Sequence, residues 1–188
     1  MSMVGSGEMI GDSTRCVHSS LDPEITTGSV HTPIFQTSTY VQKDFADHLG
    51  YEYARGDNPT RNALQRALAE MESPHQEAYG FCFGSGMAAI TTISQMLKQG
   101  DHVIACDDLY GGTVRLFDQI ASRFGIETSY SPLQSGDLGK LVLENSKILW
   151  LESPTNPLLT VHDIKSLAAE AKEHGLLVVV DSTFATPI

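Results

Sequence analysis

Glu170-Ala-Lys-Glu-His-Gly175-Leu-Leu-Val-Val-Val180-Asp181 contains the change of period that decides the fold. Upstream of it, Val161 to His174 places apolar residues at helical spacing, and Gly175 fits the glycine that closes a helix. Leu176 to Val180 is then apolar at every position, as in a strand covered on both faces. A helix running straight into such a strand is half of a βαβ unit. Working outward, Lys147–Leu151, Glu127–Tyr130 and His102–Cys106 read as further strands, and Thr113–Phe124 and Met87–Leu97 as helices between them. Tyr79–Phe83 reads as a short aromatic strand. Thr60–Met71 reads as a helix, with Leu64, Leu68 and Met71 on one side and Thr60 as its N-cap. Strands alternating with helices imply an α/β fold: a mostly parallel sheet with helices on both faces. No internal repeat and no low-complexity segment interrupts the pattern.

Residues 1–60 are different. They are rich in Ser, Thr, Gly and Pro and sustain neither period. Ile34, Phe35, Tyr40, Val41, Tyr51 and Tyr53 give them too much apolar surface for a solvated tail. An extended arm laid on another surface, such as a second subunit, is expected. The organisation is therefore an arm over 1–60 and an α/β domain from 61 to 188.

Composition narrows the function classes. A net charge of −11 argues against nucleic acid as a partner, because phosphate-backbone binding needs clustered Lys and Arg. No apolar run reaches the roughly 18 residues of a membrane span. Met1 to Glu8 has neither a basic nor an apolar leader region, so a cytoplasmic protein is expected. Cys16, Cys82 and Cys106 are odd in number and widely spaced, which is no disulfide framework, and the His residues form no zinc motif. No metal is expected.

Polar motifs sit just past the strand ends, where open α/β sheets bind ligands. Gly84-Ser-Gly-Met87 opens a helix. Its glycines let backbone amides approach an anion, the helix start adds a positive pole, and Ser85 adds a hydroxyl. A structural strand-to-helix turn has the same composition. Asp181 ends an apolar strand, a costly place for a carboxylate without a cationic partner, although a turn aspartate also fits. Tyr110 lies between Asp-Asp and Gly-Gly, which leaves room for a flat ligand on its ring or for a rim tyrosine. Asn156 lies between Pro154 and Pro157, a stiff setting for an amide or a plain turn. Arg55, beside Tyr53, suits a phosphate contact or a solvated surface.

Six blocks in order resemble the PLP-dependent Cys/Met metabolism enzymes, the trans-sulfuration group that includes cystathionine γ-synthase, γ-lyase and β-lyase and methionine γ-lyase. They are residues 27–40 (Thr-Gly-Ser-Val-His-Thr-Pro-Ile-Phe-Gln-Thr-Ser-Thr-Tyr), 53–61 (Tyr-Ala-Arg-Gly-Asp-Asn-Pro-Thr-Arg), 85–89 (Ser-Gly-Met-Ala-Ala), 107–113 (Asp-Asp-Leu-Tyr-Gly-Gly-Thr), 152–157 (Glu-Ser-Pro-Thr-Asn-Pro) and 180–184 (Val-Asp-Ser-Thr-Phe). The Asp-Asp-Leu-Tyr-Gly-Gly and Glu-Ser-Pro-Thr-Asn-Pro blocks together count against another PLP enzyme such as an aminotransferase. Gly50-Tyr-Glu-Tyr-Ala-Arg and Glu-Ser-Pro-Thr-Asn-Pro-Leu-Leu look most like the γ-lyase and γ-synthase branch. Ser182 stands where Asn is common in the family.

The resemblance implies a fold-type I transferase and pyridoxal 5′-phosphate as cofactor. It also implies a role for each matching position: Ser85, Gly86 and Met87 on the phosphate, Tyr110 stacked on the ring and assisting proton transfer, and Asp181 on the ring nitrogen. Thr183 would lie under or beside the ring, Asn156 would contact its hydroxyl, and Tyr53 and Arg55 would reach the phosphate of a neighbouring subunit in a tetramer built from dimers. The implied substrate is cystathionine or a related amino acid. The reaction would be removal of its α-proton and loss of a β- or γ-substituent, with β-lyase and methionine γ-lyase activities as the alternatives. Family members are about twice this long, and their Schiff-base lysine, in a Ser-x-Thr-Lys motif, would fall beyond Ile188. No lysine here matches it. The chain is thus expected to be part of a longer protein and inactive alone, or a fragment serving assembly.

Overall fold

The computed structural model describes residues 11–19, 22–45, 47–134 and 136–187. The leaderless start read at Met1 to Glu8 lies outside them. The chain forms two units, Met1–Cys82 with Pro187–Ile188, and Phe83–Thr186.

The first unit holds a short helix α1 (Asp12–His18), a small antiparallel pair β1 (Gln42–Asp44) and β2 (Asp47–His48), and helix α2 (Pro59–Glu72). The stretch read as an unbroken extended arm therefore carries a helix and a hairpin. Its residues bond to the start of α2, whose N-cap is Asn58, not Thr60. The Asn58 side chain accepts from the amides of Thr60 and Arg61, and Pro59 takes the first helical position, where no amide is needed. The Thr60 hydroxyl is used on the arm instead, donating to the Pro33 carbonyl and accepting from the Phe35 amide.

The first compact unit runs on to Cys82, and α2 bonds to the chain that follows it. The Gln65 side chain accepts from the Cys82 amide at 3.0 Å, and Gly80 lies so close to the Gln65 backbone that a Cβ there would overlap it. The same contacts explain why Tyr79–Phe83 is not the expected strand. Its Cys82 amide is taken by the Gln65 side chain, and Tyr79 and Phe81 are each 75 % exposed.

The second unit is the α/β layer. Helix α3 (Gly86–Ser94) leads to β3 (His102–Cys106), α4 (Gly111–Arg115), β4 (Glu127–Ser131), β5 (Ser146–Glu152), α5 (Ile164–Glu173) and β6 (Leu177–Asp181). The expected Thr113–Phe124 helix starts at Gly111, widens into a π-helical turn at Leu116–Ile120 and tightens again over Ala121–Phe124. Asp163 caps α5 through the Ser166 amide, so that helix starts later than Val161. Gly175 follows it at φ 69°, the left-handed residue the sequence reading required.

All four strands are parallel, in the order β4-β3-β5-β6. All five residues of β3 are buried, and β5 carries Ile148, Leu149, Trp150 and Leu151 into the same core. Phe117 meets Trp150 edge-on, with ring centroids 5.3 Å apart, while Leu167 and Ala171 of α5 complete the cover. From β3 the chain moves to one side, to β4. From β5 it moves to the other, to β6. Right-handed crossovers then put the two connecting helices on opposite faces, and the strand order reverses between β3 and β5. Just outside that reversal is where a ligand crevice is expected. Among the described residues no helix is long and apolar enough to cross a membrane, and no cluster of three or more His, Cys, Asp or Glu is placed to hold a metal.

Candidate active site

A cleft of about 300 Å³ opens at this reversal, lined by Ser85, Gly86, Met87, Ile90, Tyr110, Glu152, Pro154, Asn156, Asp181, Thr183 and Phe184. Seven of the residues singled out in the sequence, Ser85, Gly86, Met87, Tyr110, Asn156, Asp181 and Thr183, are thus brought to one place, by the ends of β3, β5 and β6 and by the start of α3.

At one end of the cleft, Ser85 is the N-cap of α3, its hydroxyl accepting from the Ala88 amide at 3.2 Å. The amides of Gly86 and Met87 are the first two of the helix and have no acceptor within it. A Cβ built at Gly86 meets nothing within 4 Å, so the space beside these amides is open. The helix start therefore offers donors and a positive pole to an anion.

Another part of the lining is acidic. Asp181 closes β6, and its carboxylate accepts from the Thr183 amide at 3.1 Å and the Thr183 hydroxyl at 2.5 Å, which fixes its orientation. Beside it on β5 stands its register partner Glu152, a residue the sequence reading quoted but gave no role. Glu152 is only 4 % exposed. Its carboxylate accepts from the Tyr110 amide at 2.9 Å and the Asn156 amide at 2.8 Å. Desolvation pushes its carboxyl above the ordinary value and the Tyr110 amide pulls it down, while Asp181 and Asp108 push it up. No sequence pattern marks this role, because its partners are backbone amides, which every residue type but proline carries.

A second tie runs the other way. The Asp108 carboxylate, on the loop after β3, accepts from the Thr155 hydroxyl and the Leu158 amide on the loop after β5. The two loops are thus cross-braced by one acid from each. Cys106 lies beneath them, its sulfur accepting from the Glu152 amide, and burial pushes its thiol up to about 12, so it is inert.

Tyr110 presents a ring that is 42 % exposed, and Gly112 lets it lie where it does. A Cβ at Gly112 would overlap the Tyr110 ring and come within 2.8 Å of the Met87 sulfur. The lining thus combines helix-start donors, two carboxylates and an aromatic ring. It matches a flat molecule with an anionic group at one end and a cationic one at the other.

Tyr53 and Arg55 belong to the first unit. The Arg55 guanidinium sits 5.0 Å from the Tyr53 ring centroid, and both line a separate depression with Tyr51, Gly56 and Asp57. Arg61 shapes this loop by donating to the carbonyls of Ala54 and Gly56, a role the sequence reading did not assign.

Comparison with known proteins agrees with this geometry. The sequence pattern of the family described as "Cys/Met metabolism PLP-dependent enzyme" matches residues 13–188. The chain is 46 % identical over 178 residues to a probable cystathionine gamma-synthase of Herpetosiphon aurantiacus, covering 94 % of this chain and 55 % of that protein. It is also 46 % identical over 178 residues to a cystathionine beta-lyase of Coxiella burnetii, covering 93 % and 45 %. Among solved structures, the cystathionine gamma-lyase of Lactobacillus plantarum complexed with L-serine superposes with a TM-score of 0.85 at 37 % identity, over 95 % of this chain and 46 % of that one. The chain thus spans about half the length of the curated relatives it matches. A pattern match over nearly every residue, on a parallel α/β layer with its cleft at the strand reversal, leaves one conclusion: this chain belongs to the Cys/Met metabolism PLP-dependent enzymes.

Proposed function

We propose that the cleft holds pyridoxal 5′-phosphate, and that the protein to which this chain belongs uses it to cleave or exchange the γ-substituent of cystathionine or a related amino acid. The observation that carries the reading is the pairing, in one cleft, of open helix-start amides with a fixed carboxylate. The Gly86 and Met87 amides and the Ser85 hydroxyl hold the phosphate. Asp181 faces the ring nitrogen and keeps it protonated, Thr183 holds Asp181 beside the ring, and Asn156 contacts the ring hydroxyl. Tyr110 stacks on the ring and moves a proton at the substrate. Bound in this way, the group supplies an electron sink for charge that develops next to the substrate nitrogen.

The arm fits an oligomer. Ile25, Ile34, Val41 and Phe45 are each at least 80 % exposed, too much apolar surface to leave in water. We read it as contact area in a tetramer of paired dimers, with Tyr53 and Arg55 reaching a neighbour's phosphate, and the protein as cytoplasmic.

The 46 % identity with the Coxiella burnetii enzyme favours a second reading, β-cleavage. Incubating the full-length protein with cystathionine and pyridoxal phosphate separates the two. We expect 2-oxobutyrate, or, in a parallel incubation with an activated homoserine and cysteine, cystathionine with release of the activating group. Pyruvate as the main product assigns β-lyase instead, and no turnover of any of these substrates contradicts both.

Tyr110 placement is testable in the full-length protein freed of cofactor. Gly112→Ala forces the Tyr110 ring off its present position, an overpacking cost of roughly 1–3 kcal/mol. Fluorescence titration with pyridoxamine 5′-phosphate, which lacks an aldehyde to react with surface lysines, is expected to show binding weakened by about tenfold. Unchanged affinity would mean that the ring does not touch the ligand.

A further inference from the structure

We propose that Glu152 is the positioning residue of this cleft: its carboxylate clamps the loop after β3 to the loop after β5, so that the Tyr110 ring and the Asn156 amide meet a single bound pyridine ring. The proposal rests on the cofactor reading above and adds to it a residue that touches neither phosphate nor ring nitrogen.

The geometry is specific. The two carboxylate oxygens divide the work, one accepting from Tyr110 and the other from Asn156, at 2.9 and 2.8 Å. The two amides lie 42 and 4 residues away in sequence, so the contact joins loops that the chain itself does not join. Only an anion with two acceptor oxygens serves both donors. A glutamine would turn its NH₂ group toward one of them, and an alanine would leave both amides without an acceptor in a dry place.

The location is also unfavourable for a residue with no task. The side chain is almost fully buried and stands beside Asp181 in the sheet register, with Asp108 on the adjoining loop. Burying a carboxylate near two others costs free energy, and the amides offset only part of it. A cationic ring in the cleft lowers that cost further, so the clamp and the ligand support each other.

The test uses the isotopically labelled full-length protein freed of cofactor, wild type and Glu152→Gln, with Glu152→Asp and Asp181→Asn beside them. Two quantities are read: affinity for pyridoxamine 5′-phosphate, and the amide proton resonances of Tyr110 and Asn156 in the ligand-free protein. In Glu152→Gln, affinity falls by about tenfold or more, the loss of one charge-assisted hydrogen bond. Both amide protons move upfield together, as they must on losing a carboxylate acceptor. Glu152→Asp keeps the charge and at least one of the two bonds, so it recovers part of the affinity. It also serves as the reporter if the glutamine variant unfolds early in a thermal scan.

A merely structural residue would lower the unfolding temperature without moving those two resonances selectively. Unmoved amides, or wild-type affinity in Glu152→Gln, overturns the clamp. If the wild-type protein binds the ligand and Asp181→Asn weakens it while Glu152→Gln does not, the clamp fails alone. If the wild-type full-length protein binds no ligand, the cofactor reading fails and takes the clamp with it.

Discussion

Asp181→Asn is expected to weaken pyridoxamine 5′-phosphate binding by roughly ten- to a hundredfold, the value of a hydrogen bond to a charged partner. Asn has the same shape, and its side-chain oxygen still accepts from the Thr183 amide and hydroxyl, so the loop after β6 keeps its form. What changes is the charge. Without it a ring nitrogen gains little by staying protonated, and the electron sink is lost with the proton. Two measurements check this: a fluorescence titration near neutral pH, and the ultraviolet spectrum of the bound ligand, which shifts when the ring nitrogen loses its proton. Equal affinity and an unshifted spectrum would remove Asp181 from the ring.

The second large effect is on stability. Phe117 is 1 % exposed and packs edge-on against Trp150, so Phe117→Ala is expected to cost about 3–5 kcal/mol. Trp150 is the only tryptophan, and its emission reports the loss directly. Denaturant unfolding followed at Trp150 should show a lower midpoint with the slope unchanged. A loss below about 1 kcal/mol would mean that the ring is not packed as the structure has it. The consequence reaches the cleft, because Trp150 and Glu152 share β5 and its register with β6 sets Glu152 beside Asp181.

How far the sequence could be read depended on the kind of contact each residue makes. β3 and β5 were legible because burial on both faces demands continuous apolar runs, and β6 because its valines repeat that pattern, whereas β4 is polar and largely exposed; the strand ends were accurate to a residue or two. Gly175 was legible because only a few residue types tolerate its backbone angle. Tyr79–Phe83 had the composition of a strand but lacked a ladder partner, and composition does not register partners. The choice of Asn58 over Thr60 as cap turned on where the arm passes, a tertiary fact. The π-helical turn at Leu116–Ile120 left no mark that a regular helix would not also leave.

The cleft shows the same division. Tyr110, Asn156, Asp181 and Thr183 could be found because each follows a strand end, and strand ends in a parallel sheet converge; Ser85, Gly86 and Met87 could be found because glycines at a helix start mark an anion site, although the strand expected before them does not form. Their convergence was an inference from topology before any distance was measured. Glu152 and Asp108 escaped it. Their partners are mostly main-chain amides on other loops, and a main-chain amide looks the same at every position. Arg61 escaped for a similar reason, since it serves carbonyls of its own loop.

The central claim is that one phosphorylated pyridine ring lies between the start of α3 and Asp181. A crystal structure of the chain with pyridoxamine 5′-phosphate tests it most directly. The account predicts phosphate oxygens on the Gly86 and Met87 amides, the ring face on Tyr110 and the ring nitrogen on the Asp181 carboxylate. A phosphate bound elsewhere, or a ring nitrogen turned away from Asp181, would contradict it.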